Sequence, residues 1–217
     1  MLNKRNLPIV LFISVIGIAI ALKTFAFNPN PPSKYERILK NVSDLLEGNH
    51  YSPKNIDDQF SKEVFKKFLG EVDVEKKIFL KSDIQELSKY QGQLDDEILG
   101  KVPVQFVPAV VAFYKKRLQE TQNTTHEILS QPFDFTKQET VNLDYEKLDY
   151  PASAAVQKEE IRKKLKYLTL EKYADLLDQQ EAAKNKPGYV AKTNEQLEKE
   201  ARDKTLKISD RFYDHLK

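Results

Sequence analysis

The sequence predicts a mainly α-helical domain, an irregular multi-helix body with one extended wrapping segment, preceded by an apolar export leader. Three observations carry that prediction. Apolar residues recur every three or four positions in six separate segments, which is the period of a helix with one buried face. Between Phe133 and Pro151 that rhythm gives way to aromatic residues at alternating positions among Asp, Asn and Thr. Finally, Lys4 and Arg5 precede an uncharged, mostly apolar run from Asn6 to Leu22.

The leader comes first. Its apolar part starts at Leu7 and is shorter than the ~20 residues that comfortably span a bilayer. Ala19-Ile20-Ala21 is an A-x-A-like cleavage pattern, and Thr24-Phe25-Ala26 is a weaker second one. Residues 1–27 therefore read as a signal peptide. The alternative is an uncleaved anchor that keeps the positive N terminus in the cytoplasm and attaches the chain to the membrane through residues 7–22. Both readings export the rest, and residues 28–32 (Asn-Pro-Asn-Pro-Pro) form a linker.

The helical body occupies residues 33–217. Ser33-x-x-Glu36 is a capping box for a helix that carries Tyr35, Ile38, Leu39, Val42, Leu45 and Leu46 on one face and stops at Gly48. A second helix begins near Asp57 or Asp58, turns Phe60, Val64, Phe65 and Phe68 inward, and ends at Gly70. Ser82 is the expected cap of a third, with Ile84, Leu87, Tyr90 and Leu94 on its apolar face and a weak point at Gln91-Gly92. The longest run takes Val104, Val107, Val111, Tyr114, Leu118, Thr121, Thr125 and Ile128 through about seven turns. Pro103 and Pro108 stand near its start, and Pro132 closes it. After the connector, helicity returns at Ser153 and lasts until Asn185-Lys-Pro-Gly188. A last helix starts at the capping box Thr193-x-x-Gln196 and is lined by Leu197, Ala201, Ile208, Phe212 and Leu216. It meets Lys217 in mid-pattern, as expected of a C-terminally incomplete domain.

Composition restricts the chemistry. Charged residues make up 31% of the 217, above the ~25% of average domains, which suits solvent-washed helices. Without the three basic leader residues, 32 Lys and Arg face 33 Asp and Glu, so no basic footprint for nucleic acid exists. There is no cysteine, hence no disulfide framework, thiol nucleophile or thiolate metal site. Six glycines leave little material for phosphate-cradling loops or nucleophile elbows. His50, His126 and His215 fall in different segments without metal-ligand spacing. Asp57-Asp58 and Asp95-Asp96-Glu97 read as complements to helix dipoles rather than catalytic pairs. The chain is expected to hold no catalytic residue, metal or cofactor.

Two blocks carry a resemblance. In the first, Ile56-Asp57-Asp58-x-Phe60-Ser61 is followed by Val64-Phe65, Asp73 and Phe79-Leu80-x-Ser82-Asp83-Ile84. In the second, Pro132-x-Asp134-Phe135-Thr136 precedes Asn142-Leu143-Asp144 and Pro151. Their order and spacing resemble the N-terminal domain of the tail-specific proteases, the periplasmic carboxy-terminal processing peptidases. Val74-Glu75-Lys76-Lys77 departs from the family pattern, which has small or basic residues there. The resemblance implies a noncatalytic helical domain of an exported Ser/Lys protease that trims proteins from their C termini. It would serve as enclosure and docking body, with the PDZ and protease domains of the parent chain, protein substrates or a periplasmic adaptor as partners. The other reading is a standalone periplasmic adaptor derived from that domain.

Overall fold

The computed structural model describes residues 33–48 and 55–217, and among these it contains seven α-helices and no strand. The leader, the linker and His50 lie outside the described residues. Among the described residues, no helix is long and apolar enough to cross a membrane.

Helix α1 (Lys34–Gly48) starts where its capping box places it: Ser33 N–H donates to Glu36 Oε2 at 2.5 Å, and Glu36 N–H donates to Ser33 Oγ at 3.2 Å. Helix α2 (Asp58–Val72) is capped by Asp57, whose Oδ1 accepts from the N–H groups of Gln59 and Phe60 at 3.0 and 2.9 Å. Such a cap satisfies donors that a helix start leaves orphaned. The third predicted helix is divided. Helix α3 (Lys81–Leu87) passes into a 3₁₀ turn at Ser88–Tyr90, and after Gly92 a short α4 (Leu94–Ile98) follows. Ser82 is not its cap. It lies exposed inside α3, while Asp83 accepts from the Leu80 N–H at 2.8 Å.

Helix α5 (Phe106–Leu129) has Pro108 in its first turn, where a missing N–H costs nothing. Glu97 holds its start by accepting from Gln105 N–H at 3.0 Å and Phe106 N–H at 3.1 Å. After the connector, α6 (Ala154–Ala183) is capped by Ser153 and α7 (Asn194–Leu216) by the Thr193/Gln196 box. The turn between them contains Gly188 at φ +77°, a left-handed conformation in which a side chain would be strained.

Helices α5, α6 and α7 pack into a three-helix bundle, and α2, α3 and α4 gather around the first half of α5. Phe65, Leu69, Phe79, Leu87, Leu94, Phe106 and Val110 form the largest core there. Phe106 is its hub, with ring centroids 5.3 to 6.1 Å from Phe68, Phe65 and Tyr90. Smaller clusters continue along the bundle: Ile78, Leu118 and Tyr213; then Ile128, Leu129, Ile161 and Leu165; then Leu176, Leu197 and Ala201.

Several expected inward faces are rotated. Helix α1 rests against α4 and buries Ser43, while Tyr35, Ile38, Val42 and Leu45 face outward. In α5 the contact stripe begins at Phe106 and Val110, leaving Val107 and Val111 exposed. A three-four pattern in a valine-rich turn fits two adjacent faces, and the aromatic at Phe106 decides between them because it has more surface to bury. In α7, Tyr213 is buried, whereas Ile208 and Phe212 remain open to solvent.

Candidate functional site

The residues of the first motif block converge on the α2/α3 core. Ile56, Phe65, Phe79 and Leu80 are buried, and Phe60 and Val64 are partly so. Ser61 is fully buried and exchanges hydrogen bonds with Asp95: its Oγ donates to Asp95 Oδ1 at 2.7 Å and accepts from Asp95 N–H at 2.7 Å. Asp83 is buried and held by Arg117 in a two-pronged contact, with Nε and Nη2 each at 2.8 Å. Asp58 and Ser82 are exposed. Ser61 and Asp83 are occupied in joining helices.

The second block lies in the connector. Pro132 is exposed, Asp134 accepts from Thr136 N–H and Oγ1 at 3.0 and 2.6 Å, and the Phe135 ring stacks on Tyr173 at 5.4 Å. Asn142 Oδ1 accepts from Asp144 N–H at 2.9 Å, Asp144 pairs with Lys147, and Leu143 is exposed. The connector is fastened at both ends. At one, Glu139 pairs with Arg162 and Lys166, and Lys166 also donates to the carbonyl of Lys137. These bonds, Arg162 first, draw the Glu139 carboxyl down to about 2. At the other, Lys81 N–H donates to the Pro151 carbonyl, and the Tyr150 hydroxyl reaches Leu69 O at 3.3 Å. Burial, reinforced by Asp73 and Asp149, pushes that tyrosine up to about 12.

Between the two fastenings, residues 140–148 stand off from α6 and α7 and enclose a groove of about 660 Å³. Its walls are mostly apolar, with Leu143 and Val141 on the connector, Ile161 and Leu168 on α6, and Ile208 and Phe212 on α7. That size and lining fall within the range of ligand sites. One end is charged. Glu75 Oε2 accepts from Lys77 Nζ and Lys164 Nζ at 2.7 Å each, and Lys164 also donates to the Tyr145 hydroxyl at 2.7 Å. Lys77 Nζ sits 3.8 Å from the centre of the Phe212 ring.

The loop that delivers Glu75 and Lys77 is built around Asp73. Its carboxylate accepts from the N–H groups of Lys77, Ile78 and Phe79 at 3.0, 2.9 and 2.9 Å, and Lys76 turns through φ 50°. Burial pushes the Asp73 carboxyl up against these bonds, and burial lowers the Lys77 ammonium. Burial also raises Glu75, but the bonds from Lys164 and Lys77 outweigh it and hold it below the ordinary range. Gln157 locks the loop to α6 by donating to the carbonyls of Lys77 and Ile78 at 2.8 and 3.0 Å.

Sequence reasoning did not find this groove. Its parts come from residues 75–77, 140–148, 157–168 and 208–213, and no local spacing links them. The His126–Asp210 pair at 2.6 Å was equally invisible, because it joins α5 to α7. Among the described residues, no group of three or more His, Cys, Asp or Glu side chains is arranged to hold a metal ion.

The sequence model of one protein family, described as "Tail specific protease N-terminal domain", matches residues 42–215. A relative described as a tail-specific protease, from Haemophilus influenzae, is 28% identical over 116 residues, which is 54% of this chain. The aligned region spans 17% of that protein's length.

Proposed function

Because the chain belongs to the family of tail-specific protease N-terminal domains, we propose that it is the noncatalytic helical body of an exported Ser/Lys processing protease. In this reading it walls off the proteolytic centre and offers a docking face, and the PDZ and catalytic segments belong to the same parent protein. The observation that carries it is the family match across residues 42–215, nearly the whole helical body. The architecture supports it: the motif residues Ser61, Asp83 and Asp57 are engaged in helix joints and caps, and charged outer faces surround the helices. A Ser/Lys mechanism needs a serine hydroxyl beside a lysine amine deprotonated by burial, with backbone donors aimed at the oxyanion. Lys77, whose pKa burial lowers, donates in the groove to Glu75.

The apolar, basic-flanked segment at residues 6–22 supports export. A standalone periplasmic adaptor derived from this domain is the second reading, favoured by the open groove.

Two measurements test the proposal. The coding sequence beyond codon 217 is expected to continue into PDZ and protease sequence; a stop followed by an unrelated gene would favour the adaptor. The purified chain is expected not to cleave peptides ending in small apolar residues, followed by mass spectrometry with a serine-reactive probe in parallel. Reproducible cleavage that disappears on substituting one serine of this chain would overturn the noncatalytic assignment.

A further inference from the structure

We infer that the groove between residues 140–148 and helices α6 and α7 binds an extended polypeptide segment that is apolar on one face and carries a carboxylate for the Lys77/Lys164 end. This rests on the domain being the docking body of a protease.

Three features select that occupant. The first is charge. Glu75, Lys77, Glu160, Lys163 and Lys164 line the groove, three ammonium groups against two carboxylates, with the buried Asp73 carboxylate behind Lys77. Lys77 and Lys164 share a single carboxylate, that of Glu75, and each ammonium has three donors. A further carboxylate at this end would complete the pairing, and a partly desolvated site strengthens such charge-assisted bonds.

The second is the wall. Residues 140–143 belong to no helix, and among the described residues their backbone N–H and C=O groups have no hydrogen-bond partner within the protein. A chain laid alongside could pair with them as an added strand does, while alternate side chains enter the apolar space. The third is openness: Leu143, Ile208 and Phe212 are 46, 52 and 40% exposed, and all line the same groove.

The test uses calorimetric titration of the 217-residue chain with an acetylated, amidated octapeptide of alternating Leu and Ser in which one Ser is replaced by Asp. Its twin has Asn in place of Asp. The Asp peptide is expected to bind roughly tenfold or more tightly than the Asn twin, the effect of one charge-assisted hydrogen bond. Lys164→Gln should remove that difference. Ile208→Asp on α7 and Leu143→Asp on the connector should weaken both peptides about tenfold, while Val190→Asp, at an 83% exposed site in the α6–α7 turn, leaves both unchanged. Leu143 lies outside any helix, so its variant retains the test if Ile208→Asp loses helicity by circular dichroism. No binding at 1 mM peptide, equal binding of the twins, or wild-type affinity in both groove variants would each overturn the inference. Those results leave the coding-sequence and cleavage tests untouched, whereas an unrelated downstream gene sinks the protease reading even where groove binding survives.

Discussion

Ser61 illustrates how a motif residue can act as a joint between two helices. Its hydroxyl is both donor and acceptor to Asp95, 34 positions away and on a different helix. Ser61→Ala would leave the buried Asp95 N–H and one carboxylate oxygen without their partner, at a cost of about 1–3 kcal/mol. Urea denaturation should report that loss as a lower midpoint with an unchanged slope; a midpoint equal to wild type would show that the pair is replaceable. Glu139 gives a pH-dependent counterpart. Its carboxyl is depressed to about 2 from an ordinary 4.5, chiefly by Arg162 and then Lys166. A depressed carboxyl contributes stability above the unfolded value and loses it as pH falls through the folded one. The melting temperature of wild type should therefore exceed that of Glu139→Gln at pH 6, and the gap should close between about pH 4.5 and 2. A gap that persists at pH 2 would mean that the ion pairs with Arg162 and Lys166 are not its source.

At the scale of elements, helix starts were the most legible feature because a cap is a local event. Ser33/Glu36, Asp57, Ser153 and Thr193/Gln196 all act within four residues of themselves, and three-residue spacing encodes such contacts directly. Thr193→Ala should cost α7 about 1 kcal/mol, seen as a lower thermal midpoint and faster amide exchange in the first turn of α7. Protection equal to wild type there would sink the assignment. The side a helix buries was less legible. Helix α1 has an apolar stripe at Tyr35, Ile38, Val42 and Leu45, yet α4 meets the adjacent face, because helix placement depends on neighbours far away in sequence. Leu80 starting α3, in place of Ser82, has the same origin: Asp83 both closes the helix start and engages Arg117 of α5. Glu97 likewise caps a helix other than its own, so its role could not be read from its own turn. The groove was illegible for the strongest version of this reason, since four separated segments build it.

At the scale of the molecule, the apolar core is unevenly distributed, and local stability should follow it. Around Phe106, five buried residues from α2, α3, α4 and α5 and Phe79 from the loop before α3 interlock with Tyr150 from the connector, so opening this region requires parting four helices. The far end of the α6–α7 hairpin is held by Leu176, Leu197 and Ala201 with Tyr173 beside them, and beyond it the turn exposes Tyr189 and Val190. Regions with few buried contacts open at lower free energy than the global transition. Among α2 and the three bundle helices, native-state hydrogen exchange should thus find residues 177–183 and 194–200 exchanging first and α2 with the first half of α5 last. Leu176→Ala, a buried truncation of about 2–5 kcal/mol, should accelerate exchange in the hairpin end while leaving α2 nearly unchanged. Phe106→Ala, at about 3–5 kcal/mol, should instead raise exchange in α2 and the first half of α5, because the core it empties joins α2, α3, α4 and α5 and opens only with the global transition. Equal acceleration of α2 by both substitutions would mean that the bundle and the α2–α4 core unfold as one unit, and the hairpin would then be a rigid arm rather than the most easily opened part of the body.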